Sequence, residues 1–139
     1  MLFRSIESLT VAPTEDSTLS RLTLTTSATD SEIEQITKQL NKLVEVVKLA
    51  DVTESAHVER ELMLLKVKAS GAARAEVKRL ADIFRAQIVD VTSHLFTIQV
   101  SGTSDKLDAF LVSVTEGQIV EVVRTGVTGL SRGDKTLSL

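Results

Sequence analysis

Met63-Leu64-Leu65-Lys66-Val67-Lys68 alternates in a way that only a strand explains: Met63, Leu65 and Val67 share one side, while Leu64, Lys66 and Lys68 make a second side that is only partly wet. Downstream, Val77, Leu80, Ile83 and Phe84 recur at three- and four-residue spacing between Gly71 and Ala86. That spacing lays one apolar stripe of a helix against a sheet. Val89 and Val91 flank Asp90 in a short strand. Thr92, Ser93 and His94 then turn the chain into Phe96, Ile98 and Val100, which alternate with Thr97 and Gln99. Gly102 and Thr103 break the hairpin. Leu107, Phe110, Leu111 and Val114 form a second helical stripe, with Asp105 in the first turn, where the helix dipole favours a carboxylate. Gly117 ends that helix, and Ile119 to Val123 reads as a last, β-branched strand.

The order strand, helix, strand, strand, helix, strand, with short links, predicts an α+β domain of the ferredoxin-like βαββαβ type. One four-stranded antiparallel sheet then buries a single face under two helices, and right-handed crossovers leave little other choice.

Upstream, the pattern is shorter. Ile6 to Val11 reads as a strand, Pro13 to Ser17 as a loop, and Leu19 to Thr25 as a strand in which Leu22 and Leu24 alternate with Thr23 and Thr25. Thr29 and Glu32 form a T-x-x-E capping box before a helix carrying Ile33, Ile36, Leu40 and Leu43, and Val46 to Ala50 reads as a closing strand. This ββαβ order has the last four elements of the downstream domain and lacks the first two. In a ferredoxin-like sheet the first strand is central, so a half without it has open edges and one helix too few. Such a half is expected to fray, to swap or to be completed by another chain; a separate three-stranded fold is the alternative.

Composition excludes several classes. The 139 residues are 42% hydrophobic and 25% charged, as in a globular chain, and the formal charge of -3 comes with mixed-sign stretches such as Arg74, Glu76, Lys78, Arg79 and Asp82. Nucleic-acid binding needs a clustered basic footprint, so none is expected. There is no cysteine, which removes disulfide and thiolate chemistry. No run nears the roughly 18 apolar residues of a membrane span, and Met1 to Arg4 is too short for a signal peptide, so no membrane contact and a cytoplasmic location are expected.

Candidate chemical residues are few. His57 and His94 stand apart and have no cysteine to join them in a zinc site, so linker and turn roles are favoured. Glu15 with Asp16, Glu32 with Glu34, and Glu59 with Glu61 are paired carboxylates, but acid catalysis needs one of each pair to be buried or crowded, and structural or solvent-facing roles are favoured. No G-x-S-x-G elbow and no glycine-rich phosphate loop occurs. The segment Thr125 to Leu139, with Gly126, Gly129 and Gly133, reads as a flexible mixed-charge tail that either closes over a partner's surface or frays, with fraying favoured.

Several runs resemble a known family. Ile6-Glu7-Ser8-Leu9-Thr10-Val11-Ala12-Pro13-Thr14-Glu15-Asp16, Leu19-Ser20-Arg21, Glu34-Gln35-Ile36, Lys38-Gln39-Leu40 and Lys42-Leu43-Val44 resemble the amino-terminal ACT domain of the acetolactate (acetohydroxyacid) synthase small subunit. His57-Val58-Glu59-Arg60-Glu61-Leu62, Ile83-Phe84-Arg85, Val89-Asp90-Val91, Lys106-Leu107-Asp108-Ala109, Glu121-Val122, Arg124-Thr125-Gly126 and Leu130-Ser131-Arg132-Gly133-Asp134-Lys135 resemble its second domain. The likeness is greatest to the valine-sensitive proteobacterial form.

The resemblance implies an incomplete N-terminal ACT domain over residues 1–53, a linker over 54–60, a C-terminal ferredoxin-like domain over 61–127 and a tail over 128–139. It implies a non-catalytic regulatory subunit that dimerises, binds and activates a large catalytic subunit, and confers feedback inhibition by valine. Thiamine diphosphate, magnesium and FAD would belong to the large subunit, and this chain would hold no cofactor and no metal. In the family a strand, a glycine-containing loop and a helix precede the position of Ile6. Here Met1 to Ser5 stand in their place, and Ser5 matches a pocket asparagine whose amide donor and acceptor a serine cannot reproduce. Ser5 and Ile6 are thus the expected remnant of the effector pocket, and valine binding is placed in doubt. A free-standing amino-acid-binding ACT module and an enzyme on a ferredoxin-like scaffold are the other classes.

Overall fold

The computed structural model describes residues 6–27, 29–43, 46, 48–53 and 55–137. The chain divides into two compact units, Arg60–Val127 and Met1–Glu59 with Thr128–Leu139.

The Arg60–Val127 unit holds most of β3 (His57–Lys68), followed by α2 (Ala72–Ile83), β4 (Gln87–Val91), β5 (Leu95–Gly102), α3 (Ser104–Ser113) and β6 (Gln118–Arg124). The strands lie in the order β4-β5-β3-β6, all neighbours antiparallel, which is the ferredoxin-like βαββαβ arrangement expected from the sequence. Alternation decides which side chains go inside. Met63, Leu65 and Val67 of β3 and Phe96, Ile98 and Val100 of β5 are buried together with Val77 and Leu80 of α2 and Leu107 and Phe110 of α3. Phe84 meets Phe110 edge to face at 5.2 Å between ring centres.

Local chemistry sets the helix ends. Thr103 caps α3 by accepting a hydrogen bond from the Lys106 N–H at 3.3 Å. At the end of α2, Arg85 adopts φ +56°, the Ala86 N–H donates to Ala81 O at 2.8 Å and the Arg85 N–H donates to Asp82 O at 3.2 Å. This is a Schellman closure with arginine at the left-handed position that glycine usually fills.

In the other unit, β1 (Ile6–Pro13) and β2 (Ser20–Thr26) form an antiparallel hairpin, followed by α1 (Asp30–Asn41). The register sets Leu9 opposite Leu24 and Val11 opposite Leu22 on one face, and Thr10 opposite Thr23 and Ala12 opposite Arg21 on the other. Leu9, Val11 and Leu22 are each more than half exposed. The expected cap of α1 forms with a variation: Thr29 Oγ1 accepts from the Glu32 N–H at 3.3 Å and its hydroxyl donates to Glu32 Oε1 at 2.9 Å.

Two expectations are corrected. Of the strand expected over Val46 to Ala50, the described residues, Val46 and residues 48–50, are irregular, and residues 44, 45 and 47 lie outside the described residues. In a ferredoxin-like sheet that last strand bonds only to the first, and among the described residues no strand precedes β1. Thr128–Ser131, expected to fray, forms β7 and pairs with β3. Its backbone is held from two sides. Arg21 Nη2 donates to Gly129 O at 3.0 Å, the Gly129 N–H donates to Thr23 Oγ1 at 3.4 Å, and the Arg132 N–H donates to Ala56 O at 2.9 Å.

Candidate functional site

Parity along β3 builds the most organised polar cluster. Glu61 stands two residues before Met63, on the same side as the core positions, so the strand carries its carboxylate to the helix-covered face, where the residue is only 7% exposed. Arg124, the last residue of β6, lies opposite Met63. Its Nη2 and Nε donate to Glu61 Oε1 and Oε2 at 2.8 and 3.2 Å, and its Nη1 donates to Asp108 Oδ1 of α3 at 2.6 Å. Ser104 Oγ donates to Glu61 Oε1 at 3.2 Å, and the Gly126 N–H donates to Oε2 at 3.1 Å. Gly126 holds φ +88°, a conformation that costs a glycine little and lets the chain bend back onto the carboxylate. Beside it, the Thr125 N–H donates to Leu62 O at 3.0 Å, and the Leu62 N–H donates to Thr125 Oγ1 at 3.1 Å.

The electrostatics follow from the geometry. The hydrogen bonds from Arg124 hold the Glu61 carboxyl below the usual glutamate range, although burial pushes the other way. Arg124 is raised further by Glu61 and then by Asp108. A general acid needs a raised pKa and a general base needs an open lone pair. Glu61 stays ionised, and both of its oxygens are each engaged by two donors, so the cluster ties the start of β3, the first turns of α3 and the end of β6 together instead of reacting.

The other candidates lie apart. His57 bonds through Nδ1 to Ser55 O at 2.7 Å and through Nε2 to Glu59 Oε1 at 2.6 Å. His94 sits in the β4–β5 turn, its N–H donating to Thr92 Oγ1 and its carbonyl accepting from the Ala69 N–H. Asp16 accepts from the Thr18 N–H and hydroxyl, which holds its carboxyl below the usual range, in the exposed loop that also carries Glu15. Glu32 serves the α1 cap, and Glu34 pairs with Lys38 at 3.1 Å. Ser5 lies outside the described residues, and Ile6 opens β1 opposite Thr26. Among the described residues, no group of three or more His, Asp or Glu could hold a metal ion. An open depression of about 460 Å³ is lined by Arg60, Ser101, Gly102, Thr103 and Lys106, with Lys106 Nζ donating to Ser101 O at 3.0 Å.

Comparison with known proteins joins these residues to a family. A family model described as the small subunit of acetolactate synthase matches residues 60–133, and another, described as an AHAS small subunit-like ACT domain, matches residues 4–48. The acetolactate synthase isozyme 3 small subunit of Salmonella typhimurium is 59% identical over 134 residues, covering 96% of this chain and 82% of that protein. This chain belongs to the acetolactate synthase small-subunit family. The Escherichia coli isozyme 3 small subunit is 58% identical over the same length. The crystal structure of the Thermotoga maritima small subunit superposes with a TM-score of 0.86 at 37% identity, covering 96% of this chain and 86% of that one.

As a member of that family, the chain is a non-catalytic regulatory subunit with ACT-type α+β domains. Three of the runs that carried the resemblance, His57 to Leu62, Lys106 to Ala109 and Arg124 to Gly126, each supply residues to the Glu61 cluster. Sequence reasoning grouped Glu59 and Glu61 as a pair with structural or solvent-facing roles and did not single out Glu61 as the centre of a cluster. The available signal was parity, because Glu61 continues the inward series Met63, Leu65, Val67.

Proposed function

We propose that this small-subunit family member binds an acetolactate synthase large catalytic subunit and raises its rate. The observation that carries the reading is the 59% identity to an isozyme 3 small subunit across 96% of the chain. The Glu61 cluster supports it physically. A subunit that transmits an effect needs a rigid body to push with, and a saturated buried ion pair joining two strands and a helix supplies stiffness without reactivity.

The same reading takes the chain as a homodimer in the cytoplasm, with residues 61–127 as its C-terminal domain. No helix of the described residues is long and apolar enough to cross a membrane. In this reading Ser5 and Ile6 belong to the effector pocket. A serine hydroxyl in place of an amide lowers the number of bonds available to a bound amino acid, so valine binds weakly or not at all.

Sedimentation of this chain mixed with the large subunit of an isozyme 3 enzyme tests the pairing, and calorimetry with valine tests the effector. The expected result is a joint sedimenting species and a valine signal far weaker than that of a relative with asparagine at the position of Ser5. Amino-acid binding with no joint species at micromolar concentrations would replace this reading with a free-standing sensor.

A further inference from the structure

His57 holds both of its ring nitrogens against acceptors: Nδ1 is 2.7 Å from the carbonyl oxygen of Ser55, and Nε2 is 2.6 Å from Glu59 Oε1. A carbonyl oxygen carries no proton, and an ionised carboxylate accepts only. A neutral imidazole has one N–H, so at these distances one of the two contacts would set lone pair against lone pair. Only the imidazolium, with a proton on each nitrogen, satisfies both. The ring is partly covered, at 18% side-chain exposure, while its carboxylate partner Glu59 is about half exposed.

The strand start that carries His57 is also the one that β7 grips. Arg132 Nε donates to His57 O at 3.1 Å, and the Arg132 N–H donates to Ala56 O at 2.9 Å. The charged groups facing the ring are therefore Glu59, on its own strand, and Arg132, from the segment that follows β7. The first favours the imidazolium and the second opposes it. We propose that His57 is a protonation-controlled latch: the imidazolium fastens Ser55 to Glu59 into the fixed strand start on which Arg132 closes, and its deprotonation frees that start and loosens the β7 end.

The direction is consistent. The Ser55 carbonyl and then Glu59 raise the His57 pKa above its ordinary value. Folding is thus favoured by the latch fully below about pH 6.5, and that contribution is lost as pH rises through the higher folded value. The window begins near the ordinary imidazole value and extends above it, so a rise in pH from there alters how firmly this segment is held.

NMR titration of the full chain tests the latch. His57 should carry protons on both ring nitrogens at pH 6.5, with a midpoint above that pH, and Glu59→Gln should lower the midpoint while leaving the fold intact. Amide protection of residues 56–58 and 132, corrected for intrinsic exchange, should fall about tenfold across the titration, the scale of one charge-assisted hydrogen bond. His57→Gln should remove that pH step. A His57 midpoint at or below 6.5, or the same step in the His57→Gln protein, would overturn the proposal.

Discussion

Glu61 and Arg124 are 63 residues apart in sequence and form a two-pronged ion pair, Nη2 to Oε1 at 2.8 Å and Nε to Oε2 at 3.2 Å, with the glutamate buried and Asp108 on the arginine's remaining prong. Everything this pair touches is an element end: the start of β3, the first turns of α3, the close of β6.

Removing the glutamate leaves a guanidinium half enclosed with only Asp108 to answer it. Glu61→Ala should destabilise the chain by about 3 kcal/mol in urea unfolding, near the lower end for a broken buried pair because Arg124 keeps one partner. Arg124→Lys should recover little, since an ammonium cannot bridge two carboxylates in the plane of the fork. A loss below about 0.5 kcal/mol for Glu61→Ala would mean that the pair behaves as an exposed one.

Acid should act through the same residue. The folded chain holds the Glu61 carboxyl below the usual value of 4.5, so the unfolded chain takes up that proton first as pH falls. The ionised pair therefore contributes stability above about pH 4.5, and that contribution drains away as pH falls towards the lowered folded value. Stability measured against pH should fall less steeply below 4.5 in Glu61→Gln than in the parent protein.

Gly117 is fixed by its neighbours. A Cβ there would come within 2.5 Å of Val67 Cγ1 and 3.1 Å of Val77 Cγ2, both on fully buried valines that have no room to retreat. Gly117→Ala should cost about 1–3 kcal/mol by overpacking, read as a lower urea midpoint with an unchanged slope.

Arg85 offers the opposite case. It occupies the left-handed position of the α2 Schellman closure at φ +56°. Arg85→Gly should stabilise the chain by about 1 kcal/mol, the scale of the steric cost that a side chain bears there. Thermal unfolding should show a raised midpoint of a few degrees.

The C-terminal ferredoxin-like unit was legible because both of its periods are local. Met63, Leu65 and Val67 repeat at two, while Val77 and Leu80 sit on a helical stripe, and each pattern is complete within its own element. Val46 to Ala50 shows where local reading stops. Its apolar residues suit a strand, yet a strand exists only if another strand bonds to it, and that depends on residues elsewhere. Thr128–Ser131 failed in the other direction. Four mixed residues with a glycine carry no period, and their partners Arg21 and Thr23 stand 108 and 106 residues from Gly129. Glu61 was hidden by its charge, since a carboxylate at an inward position is unusual unless a cation is waiting. That cation, Arg124, becomes visible only once β6 is laid beside β3.

The most direct test is the rate of acetolactate formation from pyruvate by the large subunit of an isozyme 3 enzyme, measured as this chain is added at increasing ratio. The family assignment and the rigid Glu61 cluster predict that the chain alone forms no acetolactate, that the mixture runs faster than the large subunit alone until a fixed ratio is reached, and that Glu61→Ala weakens this gain. A rate unchanged at every ratio, with the added chain folded, or turnover by the isolated chain, would contradict the account.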